Sequence, residues 1–295
     1  FLFLLSGGAS SLVEVLPASV TFADYQRANT WLLGSGLDIH RINAVRKQLS
    51  MIKGGKLRRS LRGRDARCLL ISDVPGDDPA SIGSGLLVAE DNSYLDHLGS
   101  DLPDWLQSCM GAAAATDDTA IPSTTISHEV IADNRKARAA ACTAAQKLGY
   151  PVVDHTDLLV GDALVAARHC AQEVLQGSIG VTVWGGETTL KLPDQPGRGG
   201  RSQSFALAAA MVLADHEYCV VLAAGSDGTD GPTEDAGALV DGGTLKRGEA
   251  EALSAADCLA RADAGAFLAA SGDLIQTGPT GTNVMDLVIG IKRHQ

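Results

Sequence analysis

An α/β fold is predicted for this chain on three observations. Short apolar runs closed by glycine or aspartate recur along it, stretches with helical spacing separate them, and the loops behind the runs are rich in Gly, Asp, Ser and Thr. Alternation of this kind builds sheets covered by helices, and such proteins bind ligands at the carboxyl ends of their strands.

The first run, Phe1 to Leu5, suits a buried strand. It leads into SGGASSL, residues 6–12, where Gly7 and Gly8 can take positive φ and Ser10 or Ser11 can cap a helix starting near Leu12. The segment reads two ways: as a tight strand-to-helix connection, or as N–H groups converging on a phosphate. Helical spacing follows over Phe22 to Leu33 and Ile39 to Ile52, the second expected to end at Gly54-Gly55. CLLIS, Cys68 to Ser72, reads as a buried strand closed by Asp73. Asp101 to Pro122 reads as a surface loop with a short helix at Trp105.

Ile131 to Leu148 is alanine-rich and is expected to form one helix ended by Gly149. Val152-Val153 and a helix over Asp157 to Leu175 complete another unit. The pattern then restarts, which places a domain boundary near Gly177 and gives domains 1–176 and 177–295. In the second, Ile179 to Trp184 is a strand, Ser202 to Leu213 a helix and Tyr218 to Ala223 a strand. Acidic and glycine-rich loops and alanine-rich helices follow, with a last strand over Asp286 to Ile291.

Composition narrows the function. With 295 residues, 45% of them apolar, the chain has ample core for one large domain or two ordinary ones. A net charge of −11 argues against nucleic acid or an anionic membrane as partner, so phosphate handling would need a divalent cation or a few well-placed basic residues. The six cysteines are dispersed with no CxxC pair, as in buried thiols of a reducing cytoplasm. No apolar run approaches the ~20 residues of a membrane span. A chain that starts inside a strand has the look of a protein missing its beginning.

Four further loops can carry chemistry. DVPGDDP (73–79) puts carboxylates behind a strand, Asp73 and Asp77 among them. GGETTLKLPDQPGRGGR (185–201) has Glu187 near one end and Arg198 and Arg201 at the other. GSDGTDGP (225–232) holds Asp227 and Asp230, and TGPTGTN (277–283) includes Thr282 and Asn283. Each alone also suits a turn, where Asp and Gly are common. Together, hard carboxylate and hydroxyl ligands suit Mg²⁺ and glycine N–H groups suit phosphates, the ingredients of phosphoryl transfer. Arg46 and Lys47 stand near the end of a predicted helix. They read either as solvated charges favoured by the helix dipole or, for Arg46, as a bidentate clamp on a substrate carboxylate. GxxxxGK[ST], a dinucleotide fingerprint behind a strand, HExxH and zinc spacings are all missing.

SGGASSL, NAVRKQLSMIKGGKL, SDVPGDDPASIGSG, WGGETTLKL, GRGGRSQSFALA, GSDGTDGPTEDAGALVD and TGPTGTNVMDL, in this order over residues 6–287, resemble the glycerate 2-kinases of the MOFRL type. Members of this family also go under the name hydroxypyruvate reductase. The resemblance implies ATP-dependent phosphorylation of the 2-hydroxyl of D-glycerate with Mg²⁺ or another divalent cation. It also implies two α/β domains, an incomplete Rossmann-like one and a C-terminal MOFRL one, with the active site in a cleft between them. The family's proposed active-site glutamate and arginine fall on Glu187 and Arg201. A glycine–lysine motif, whose lysine is a proposed catalytic residue, precedes the point where this chain begins.

On this reading Ser6, Gly7, Gly8 and Ser10 hold phosphate or the glycerate carboxylate, with Arg46, Lys47, Thr282 and Asn283 as further binding residues. Asp73 and Asp77 organise the metal, Asp227 or Asp230 accepts the hydroxyl proton, and Arg201 neutralises the transferring phosphate. The chain departs from the family in reading GGRSQS for GGRNQE and NVMD for NVND. The rivals are an NAD(P)H-dependent hydroxypyruvate reductase, against which the missing dinucleotide fingerprint counts, and a non-catalytic ligand-binding remnant. Homo-oligomer formation stays open.

Overall fold

A computed structural model describes residues 1–88, 102–115 and 124–294. The chain divides into two compact units, Phe1–Ile131 and Ala132–Gln295.

In the first unit β1 (Leu2–Ser6) runs into α1 (Ala9–Leu12), followed by α2 (Phe22–Gly34) and α3 (Ile39–Leu49). A capping box starts α2: the Thr21 side chain accepts from Asp24 N–H and the Asp24 carboxylate accepts from Thr21 N–H. The α3 helix stops before the expected glycines. Ser50 turns extended, and its Oγ accepts from the N–H groups of Ile52 and Lys53, so the backbone after Leu49 is satisfied by a turn. Gly54 and Gly55, both at positive φ, instead lead into a 3₁₀ turn, Lys56–Leu61. Gly8 rather than a serine occupies the N-cap of α1.

Next come β2 (Ala66–Ile71), α4 (Asp104–Ala115) and β3 (Ile126–Ala132), and the sheet order is β1-β2-β3. The β1 and β2 strands are parallel, with Ser6 opposite Ile71. Of the loop expected over 101–122, residues 101 and 116–122 lie outside the described residues, and the helix at Trp105 is three turns long. The expected helix over Ile131 to Leu148 is corrected at its start. ISHEVIA alternates strictly and forms β3, and Asp133 then caps α5 (Asn134–Lys147) by accepting from Lys136 N–H.

The second unit continues with β4 (Val152–Asp154), α6 (Ala163–Gln176), β5 (Gly180–Gly186), α7 (Arg201–Leu213) and β6 (Cys219–Gly225). Then follow β7 (Gly237–Asp241), α8 (Thr244–Ala250), α9 (Ala255–Ala260), α10 (Ala264–Ser271), β8 (Leu274–Ile275) and β9 (Asp286–Lys292). Asp162 caps α6, which therefore starts later than the periodicity suggests. The six-stranded sheet has the order β4-β5-β9-β6-β7-β8. Gly177 falls inside this unit, between α6 and β5, because β4 pairs with β5 and α6 packs on α7.

This sheet is covered on both faces. Ala163, Ala167, Cys170, Ala171 and Val174 form one stripe of α6 at helical spacing, packed with α7, whose residues from Phe205 to Ala210 are all buried. Cys219, Val221, Ala223 and Val288 join them from the strands. Cys142 and Ala145 of α5 cluster with Val181 and Val183. No helix among the described residues is long and apolar enough to cross a membrane.

Candidate active site

Strand direction assembles the site of the second unit. The last strand, β9, is antiparallel to both β5 and β6, so its first residue lies beside the last residues of its neighbours. Asp286 pairs with Gly186 on one side and with Gly225 on the other. A Cβ on Gly225 would come within 2.6 Å of the Thr229 carbonyl oxygen, so that position excludes a side chain. Asp286 shares a face with Val288, the face that packs under α7.

At the start of α7, Arg201 Nε donates to Asp286 Oδ2 at 2.7 Å and Nη2 donates to Oδ1 at 3.1 Å. Nη1 donates to Glu187 Oε1 at 2.6 Å. Burial pushes the Asp286 carboxyl up to about 6, although Arg201 pulls the other way. Burial also disfavours the Arg201 charge, but the Asp286 and Glu187 carboxylates outweigh it and raise the guanidinium pKa. The pair is thus a fork-to-fork charge contact, largely withdrawn from water at its Asp286 end.

These residues border a cleft of about 430 Å³, together with Gly200, Asp227, Asp230 and Asn283. Asp230 is buried, and its two oxygens accept from the N–H groups of Ser202 and Gln203 at 3.0 and 2.8 Å. It caps α7 from a separate loop. A Cβ on Gly200 would come within 2.3 Å of Asp230 Oδ1, so the glycine admits the cap. Burial raises the Asp230 carboxyl pKa against these donors. Asp227 is half-buried and accepts from Thr229 N–H, while Asn283 is exposed and its Oδ1 accepts from Met285 N–H. Thr282 sits beside it in the turn, its N–H on Thr280 Oγ1 at 3.4 Å.

The double glycine before Glu187 has a steric reason. A Cβ on Gly185 would lie 1.9 Å from Asn134 Oδ1, and one on Gly186, at φ +146°, would lie 2.3 Å from the Leu159 carbonyl oxygen.

The other expected residues belong to the first unit. There the parallel pairing of β1 and β2 brings SGGASSL beside DVPGDD: a Cβ on Gly7 would lie 1.8 Å from Asp73 Oδ2. Ser6 ends β1, and Gly8 caps α1. Ser10 Oγ is 2.5 Å from Ser84 Oγ, and Asp77 stands at φ +53°. Lys53, fully buried, donates from Nζ to the Ser10 carbonyl at 2.7 Å and pairs with Glu14 at 2.8 Å, tying this loop down. Arg46, read as a substrate clamp, turns instead toward α2, where Nε donates to Asn29 Oδ1 at 2.8 Å; Lys47 Nζ donates to the Ala80 carbonyl at 3.2 Å. Among the described residues no group of three or more His, Cys, Asp or Glu is arranged to hold a metal.

In the sequence Asp286 stands only as the start of a strand. The signal for Asp286 was its place behind TGPTGTNVM, at the mouth of the last strand.

Comparison with known proteins shows the family and the fold. The MOFRL family matches residues 180–286, and a domain of unknown function, DUF4147, matches residues 1–99. The chain is 34% identical to the glycerate 2-kinase of Pyrococcus horikoshii, covering 98% of this chain and 69% of that protein. It is also 34% identical to the D-glycerate 2-kinase of Thermotoga maritima, covering 98% and 72%. The crystal structure of a glycerate kinase from Thermotoga maritima superposes with a TM-score of 0.87 at 33% identity, covering 99% of this chain and 72% of that one. Likeness of this extent in sequence and in fold establishes descent, and the chain belongs to the MOFRL-type glycerate 2-kinase family.

Proposed function

We propose that the protein is a glycerate 2-kinase, transferring phosphate from ATP to the 2-hydroxyl of D-glycerate. The arrangement that carries this reading is Arg201, fixed at the mouth of α7 by Asp286 and Glu187 and bordering the cleft. A guanidinium has five N–H donors, three of which are taken by these carboxylates. The remaining two suit phosphate oxygens, and a clamp held in advance opposes charge developing during transfer.

Glu187 and Asp286 orient the guanidinium. With Asp230 committed to the α7 backbone, Asp227 is the better candidate to accept the hydroxyl proton. Asn283, exposed on the cleft, offers an amide to substrate, with Thr282 next to it. In the first unit Gly7, Gly8, Ser6 and Ser10 are assigned to an anionic group. Asp73 and Asp77 are assigned to a Mg²⁺, an ion that keeps several waters and binds through one or two carboxylates and a phosphate. Such an ion would neutralise phosphate charge.

The test is incubation with ATP, Mg²⁺ and D-glycerate, with the product read by ³¹P NMR. ATP-dependent 2-phosphoglycerate is the expected product. Oxidation of NADH by hydroxypyruvate without phosphate transfer would overturn the reading.

A further inference from the structure

The turn in front of Asp286 is unusual in its backbone and in what holds it. Met285 stands at φ +67°, a left-handed conformation that a bulky residue adopts only when its surroundings impose it. The imposing groups are identifiable. Val284 N–H donates to Ser226 Oγ at 2.8 Å, Met285 N–H to Asn283 Oδ1 at 3.0 Å, and Ser226 N–H to the Met285 carbonyl at 3.2 Å. The carbonyls on either side of Met285 converge on one amide: Asn134 Nδ2 donates to Val284 O at 2.9 Å and to Asp286 O at 3.0 Å. An amide nitrogen has two hydrogens, and both are used here.

Asn134 is itself fixed. It is buried as the first residue of α5, its Oδ1 accepts from Arg138 Nε one helical turn later at 3.3 Å, and it packs on Gly185 where no Cβ intervenes. Arg138, also buried, is anchored by Asp154 and the His155 carbonyl. A chain of direct contacts thus runs from α5 through the turn to Asp286, and from Asp286 to Arg201. Asn134 and Arg138 lie outside both family matches.

We infer that Asn134 is a positioning residue for the Arg201–Asp286 clamp, setting through its two carbonyl contacts the turn that aims the Asp286 carboxylate. The inference rests on the proposed role of Arg201. Asn134 touches no substrate; it acts by holding the Asp286 backbone where both bonds to Arg201 can form.

The test is Asn134→Asp, which keeps shape but replaces the two donors with an acceptor facing two carbonyls. The Arg201 Nε–Hε resonance, set by its bond to Asp286, should shift or broaden in ¹⁵N–¹H spectra. Turnover should fall roughly tenfold to a hundredfold, as small misplacements of reacting groups do, with KM within about twofold. Combining Asn134→Asp with Asp286→Asn should lower kcat no further than Asp286→Asn alone. A folded Asn134→Asp protein with an unmoved Arg201 resonance and unchanged kcat would overturn the inference. Asn134→Ser, which removes one donor without adding charge, gives the same readouts should Asn134→Asp not fold. If Arg201→Lys leaves kcat intact, the reading of the site fails instead, and the resonance still decides the role of Asn134.

Discussion

Arg201 and Asp286, eighty-five positions apart, meet through two hydrogen bonds of 2.7 and 3.1 Å that lock guanidinium and carboxylate edge to edge. The contact joins the first turn of α7 to the first residue of β9, and it fixes a permanent positive charge at the border of an otherwise acidic cleft.

Arg201→Lys keeps the charge and loses the fork. A lysine cannot reproduce two parallel bonds to Asp286 together with one to Glu187. Turnover should fall by about 10²-fold or more, as it does on loss of a transition-state charge contact. Melting temperature should fall by only a few degrees, since roughly 1 kcal/mol corresponds to about 2–4 °C in a chain of this size class. A calorimetric scan beside a kinase assay checks both.

The Asp286 carboxyl, pushed up to about 6 mainly by burial, makes stability depend on pH in a definite direction. Unfolded, it ionises near its ordinary 3.8. Between these values the folded state keeps a proton that the unfolded state has released. The stability this group contributes therefore falls as pH rises from about 4 to about 6 and is flat above. Asparagine does not titrate. The stability of the wild type relative to Asp286→Asn should decline across that window in urea melts at stepped pH, and a difference constant from pH 4 to pH 7 would contradict the assignment.

Gly185→Ala tests the packing behind the site. The new Cβ would meet Asn134 Oδ1 at 1.9 Å, and this amide is held by three hydrogen bonds and cannot swing aside. Overpacking of this kind costs about 1–3 kcal/mol. Denaturant melts should show that loss.

Asp230→Ala removes the cap of α7 and should cost about 1–2 kcal/mol, whereas Asp230→Asn, which still offers an acceptor oxygen, should cost less. If Asp227 is the proton acceptor, Asp230→Asn keeps most of the turnover and Asp227→Asn does not. The two assays together separate a structural carboxylate from a chemical one.

The sequence by itself determined the α/β class, the strands at both ends of the chain, most helices and the family, because these follow from periodicity and from motifs that each lie within one short segment. It misplaced what depends on competition at a boundary. The α3 helix ends where Ser50 Oγ offers a better turn than a further helical residue, and β3 begins where ISHEVIA alternates beside a run of alanines. Tertiary structure alone decided which charges meet. Arg46 found Asn29, Asp230 found the α7 backbone, and Asp286 found Arg201 because β9 enters the sheet antiparallel between β5 and β6. A strand's position in a sheet order is set by the burial of whole faces against helices far away in sequence, so the loop in front of Asp286 marks a strand mouth without telling that its neighbours are Gly186 and Gly225.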